Sequence, residues 1–145
     1  MLFRSATAST YTTTASDIGS ALSVTVSYTD GFGTEESITS DSTSPIANVN
    51  DPPEGSPEVI RSAENILSVD TSSISDKDGI GAFAYQWLAD GLTIDGANGE
   101  TYDLSALDVG KLISVQISYV DGYGASETLV SDTIPVTEEI GRAHV

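Results

Sequence analysis

Residues 10–41 and 101–132 are two versions of one pattern, set 91 positions apart without a gap. Thr10-Tyr11 pairs with Thr101-Tyr102, and Asp17-Ile18-Gly19 with Asp108-Val109-Gly110. Ser23-Val24-Thr25-Val26-Ser27-Tyr28 pairs with Ser114-Val115-Gln116-Ile117-Ser118-Tyr119. The match runs on through Asp30-Gly31-Phe32-Gly33 and Asp121-Gly122-Tyr123-Gly124, then Glu36 with Glu127 and Ser40-Asp41 with Ser131-Asp132. Solenoid units are 20–50 residues long, so a longer period means whole domains in tandem. The chain is therefore expected to hold the C-terminal half of one repeat, residues 1–44, a Pro-rich linker at 45–57, and a nearly complete repeat at 58–137.

Local periodicity assigns the fold class. Ile113, Val115, Ile117 and Tyr119 alternate with Ser114, Gln116 and Ser118, the two-residue period of a strand with one buried face. Residues 22–28 repeat that alternation. Phe83, Tyr85 and Trp87 share a face on residues 83–88, and Asp90-Gly91 then supplies a hairpin turn before 92–94. Further strands are expected at 65–69, 101–104 and 127–130, with a single helical turn at 105–109. No window has a helical apolar period. About seven short strands punctuated by turns are expected to form an all-β, immunoglobulin-like β-sandwich with Trp87 in its core.

Four of the five prolines fall within residues 45–57, which predicts a short, stiff, extended connector. The two ends, 1–5 and 138–145, resemble translated sequencing-adapter DNA, so the biology is expected to lie between them.

Composition narrows the chemistry. The chain has no Cys, one His (His144, penultimate), and five Lys and Arg against 22 Asp and Glu, for a net charge of −17. Thiolate nucleophiles, disulfides, multi-histidine metal sites and a Ser-His-Asp triad are excluded or have no usable imidazole. Nucleic acid and anionic lipid are disfavoured as partners, and no apolar run is long enough for membrane insertion. A glycosidase would need two carboxylates facing each other across a cleft, which a small sandwich with its acids in loops does not offer. The chain is not expected to be an enzyme. Carboxylate chemistry, hard cations and adhesion remain.

The run 75–91, with Ile94-Asp95-Gly96-Ala97, Thr101-Tyr102-Asp103-Leu104, Asp108-Val109-Gly110 and the linker Asn48-Val49-Asn50-Asp51-Pro52-Pro53, resembles tandem Ig-like and cadherin-like repeats of large secreted bacterial adhesins. Members of that group include RTX adhesins exported by type I secretion. The resemblance spans residues 10–136. It implies an extracellular or cell-surface extender module for cell adhesion, commonly stiffened by calcium. Its partners would be neighbouring repeats of the same chain, with surface glycan or protein engaged through other domains.

The candidate cation ligands are Asp76 and Asp78 in Asp76-Lys77-Asp78-Gly79, Asn48, Asn50 and Asp51 in the linker, and Asp30 from a neighbouring loop. Alternating acids before a turn glycine supply oxygens to a hard cation such as calcium. The same residues also suit an Asp-Gly turn with solvated charges, and the linker equally suits a plain proline-stiffened connector. Asp30-Gly31-Phe32-Gly33 and its partner at Asp121 read first as hairpin loops whose aromatic covers the end of the sandwich, with a ligand or metal role as the alternative. A carbohydrate- or protein-binding module is the alternative function, and an exposed aromatic platform would mark it.

Overall fold

A computed structural model describes residues 6–137. The chain divides into two compact units, residues 1–49 and 50–145.

The first unit is a hairpin of β1 (Thr25–Thr29) and β2 (Glu35–Thr39), preceded by a 3-10 turn at Ala15–Asp17. Gly19 donates its N–H to the Ile46 carbonyl (2.8 Å), and Ile18 bridges Ile46 in parallel. Asp17 is fully buried and accepts from the Tyr11 hydroxyl and the Thr14 amide, both at 2.8 Å.

The second unit is an all-β sandwich. One sheet has the order β3 (Glu58–Arg61), β4 (Ile66–Asp70), β7 (Thr101–Asp103), all antiparallel. In the other, β8 (Leu112–Val120) pairs on one side with β5 (Ala84–Ala89), which carries β6 (Leu92–Thr93). On its other side β8 pairs with β9 (Ser126–Val130) and then β10 (Ile134–Pro135). The strand order is that of an immunoglobulin-like sandwich.

The alternation in β8 decides the core. Ile113, Val115 and Ile117 are fully buried and meet Leu67 of β4 and Trp87 of β5 between the sheets, and Tyr119 on the same strand is nearly buried. The indole N–H of Trp87 is satisfied by the Gly99 carbonyl at 2.9 Å, and its ring stacks on Tyr102 with centroids 5.7 Å apart. Tyr102 in turn donates to Asp108 at 2.9 Å, matching Tyr11 and Asp17 at the 91-residue offset. Asp90 and Gly91 both have positive φ, the geometry of a tight hairpin turn between right-twisted strands.

The segment read as a short, stiff, extended connector is partly built into the second unit. Glu54 and Ser75 exchange both backbone hydrogen bonds (2.8 and 3.0 Å), and Pro57 is fully buried. The extended backbone that proline imposes leaves Glu54 free to pair as an edge strand would. The terminal segments 1–5 and 138–145 lie outside the described residues.

Candidate metal centre

Three chain segments converge at one end of the second unit. The first is the β4–β5 loop. Asp76 Oδ1 accepts the Asp78 N–H at 2.8 Å, and Gly79 donates to the Asp76 carbonyl at 3.0 Å. This Asx turn needs a residue at φ +96°, which glycine adopts without strain.

The second segment is the β8–β9 hairpin. Asp121 Oδ1 accepts from the amides of Tyr123 (2.8 Å) and Ala125 (2.9 Å), which closes the loop. Asp30 organises the β1–β2 loop identically, accepting from Phe32 (2.8 Å) and Thr34 (3.0 Å). Those amides, Thr34 first and then Phe32, hold the Asp30 carboxyl below the ordinary range.

The two loops of the second unit meet through backbone. Gly122 donates to the Asp78 carbonyl at 2.8 Å, and a Cβ on Gly122 would stand 2.6 Å from that oxygen. Only glycine allows this approach.

The third segment is the chain entering the unit. The Asp51 N–H donates to Asp78 Oδ2 at 2.6 Å, and the Asn50 amide donates to Glu127 Oε1 at 3.1 Å.

The result is a group of carboxylates. Asp76, Asp78 and Asp121 each place an oxygen within 4.8 Å of the others, with Asp78 and Asp121 buried and Asp76 half-buried. Glu127 is also buried. Tyr119 donates to Asp76 Oδ2 at 2.5 Å, and Phe83 packs edge-on against its ring. Burial first, then that hydrogen bond and the charges of Asp76, Glu127 and Asp121, push the Tyr119 phenol well above its ordinary range.

Asp121 Oδ2 is buried and has no hydrogen-bond partner among the described residues. None of the three aspartates forms an ion pair with Lys or Arg among them either. Buried carboxylates are ordinarily paired or bound to metal, because an uncompensated charge in a low-dielectric setting is strongly unfavourable. The donor set is oxygen only, which suits a hard divalent cation and not a thiophilic one. The three aspartates can hold a metal ion.

Of the residues singled out in the sequence, Asp76 and Asp78 belong to this group. Asn50 and Asp51 adjoin it through the hydrogen bonds above, Asp51 by its backbone. Asn48 and Asp30 lie in the first unit. Sequence reasoning missed Glu127 and Tyr119 and ranked the metal role of Asp121 second. The sequence favours a hairpin turn over a metal role for the Asp121 loop, whereas one oxygen of Asp121 makes the turn and the other is buried without a partner among the described residues. The signal was present: Tyr28, Asp30 and Glu36 recur as Tyr119, Asp121 and Glu127 at one offset. The hairpin aromatics do not cover a sandwich end. Phe32 is 99% exposed and Tyr123 53%, because the amides of each tight loop turn inward to the Asp and leave the ring outside.

Fold and site together define an all-β sandwich module with a cluster of buried carboxylates where the chain enters it. No protein-family profile, curated protein or solved structure matches the chain.

Proposed function

We propose that the chain is a non-catalytic extender module of a tandem surface protein, acting in adhesion, whose second unit is stiffened by calcium at Asp76, Asp78 and Asp121. The observation that carries this reading is Asp121 Oδ2, buried and unpartnered beside two further carboxylates. Calcium takes six to eight oxygens in flexible geometry, and here carboxylates come from two loops with Glu127 close by. A cation held there would tie the β4–β5 loop to the β8–β9 hairpin, and through Asp78 it would bear on the backbone of Asp51. At a net charge of −17, neutralising acids also lowers self-repulsion. An extracellular setting supplies the calcium that such a module would use.

The burial of aromatics supports this role over glycan binding for the second unit. Trp87 is fully buried and Tyr119 nearly so, leaving Tyr123 as the one exposed aromatic ring among the unit's described residues. Sugar-binding faces present aromatic platforms to solvent.

Thermal unfolding followed through Trp87, the only tryptophan, tests the proposal. Calcium at 100 times its dissociation constant is expected to add about 2.7 kcal/mol relative to EGTA, with magnesium and sodium giving less. Asp121→Asn keeps the acceptor for Tyr123 and Ala125 and should abolish the calcium increment. An equal rise with magnesium or sodium chloride, or an undiminished increment in Asp121→Asn, would overturn it.

A further inference from the structure

In the second unit, β8 is covered twice: β5 pairs along one edge, and the opposing sheet packs on its inner face. In the first unit the corresponding strand, β1, pairs with β2 alone among the described residues. Its apolar face is open. Val24 and Val26 are each 57% exposed, Tyr28 50% and Ile38 64%, where Val115 and Ile117 are fully buried and Tyr119 is 4% exposed.

The two hairpins are otherwise equivalent in detail. Val24 donates to Ser40 Oγ and accepts from the Ser40 amide, as Val115 does with Ser131. Asp30 and Asp121 close their loops with the same two acceptor bonds. Tyr28 faces Glu36 in register as Tyr119 faces Glu127. The second unit therefore displays, at the same offset, what this kind of hairpin packs against.

We propose that the free edge and apolar face of β1 and β2 form an acceptor surface for the front half of a repeat of the same kind. The occupant has the chemistry of residues 50–104: a strand like β5 with large aromatics on its inner face, and one like β4 presenting a Leu67 equivalent. Its register follows from the second unit, where Ala84 faces Ser118, Trp87 faces Val115 and Ala89 faces Ile113. The incoming strand pairs antiparallel with residues 22–27, placing its aromatic anchor opposite Val24. Main-chain hydrogen bonds supply affinity and the alternate apolar side chains supply register.

The test joins a second copy of residues 50–104 directly ahead of Thr14, the counterpart of Ser105, in the full chain. Amide hydrogen exchange at residues 22–27 is expected to slow at least 100-fold relative to the parent. Tyr28 should resist nitration, and the added tryptophan should emit in the blue-shifted range of a buried indole. Val26→Asp in β1 of the grafted protein should reverse all three. Unchanged exchange at 22–27, with the added tryptophan emitting as if in water, overturns the proposal. In parallel, sedimentation of the unmodified chain should find a monomer. A dimer in which Tyr28 is already protected would assign the face to a second copy and overturn it as well.

Discussion

Tyr102 shows how one residue carries a pH response. Burial first, then the hydrogen bond to Asp108 and its charge, push the phenol up to about 12. Its pKa is thus raised in the folded state, so the neutral form is stabilised by folding. That contribution is fully present below the unfolded value of about 10 and is lost as pH rises toward 12. Urea unfolding of the wild type between pH 8 and 12 should show stability falling across this window, and Tyr102→Phe should flatten part of the fall. Asp121 is the contrasting case. One carboxylate oxygen satisfies two backbone amides and the other has no partner, so a single side chain serves loop closure and charge clustering at once.

At the level of elements, the centre depends on two loops touching through backbone, with Gly122 at the contact. A methyl group there would stand 2.6 Å from the Asp78 carbonyl and force the loops apart. Gly122→Ala is expected to destabilise the second unit by about 1–3 kcal/mol, as overpacking does, and to weaken calcium binding at the same time. Equilibrium unfolding and calcium titration check the two effects separately. Loss of stability with calcium affinity intact would show that the loop contact does not shape the site. The same element logic explains the linker. Its prolines make it extended, and an extended segment beside the 73–78 loop finds a backbone partner in Ser75 and a carboxylate acceptor in Asp78.

For the second unit as a whole, stability rests on the layer between its sheets, where Leu67, Trp87, Ile113, Val115 and Ile117 are all fully buried. Leu67→Ala leaves a cavity in that layer and is expected to cost about 2–5 kcal/mol, read from the Trp87 unfolding transition in urea. A cost below about 1 kcal/mol would mean that the sheets close over the gap. The first unit has no such layer among its described residues, since Val24, Val26 and Ile38 remain more than half exposed. Its regularity comes from the hairpin and its loop hydrogen bonds.

Strand class, the positions of β5, β7, β8 and β9, the 3-10 turn at Ala106–Asp108 and the buried place of Trp87 were all readable in the chain. They follow from alternation and turn chemistry, which act between near neighbours. The recurrence at 91 residues likewise foretold the paired hairpins. β3 at Glu58–Arg61 and β10 at Ile134–Pro135 were not readable: neither shows a local strand signal, and both owe their state to pairing with β4 and β8. Asp76 and Asp78 could be singled out by local spacing. Their union with Asp121, 43 positions beyond Asp78, arises only when Gly122 brings the hairpin loop onto the Asp78 carbonyl. Local sequence sets which carboxylates stand in turns; the tertiary approach of two loops decides which of them come within reach of one another.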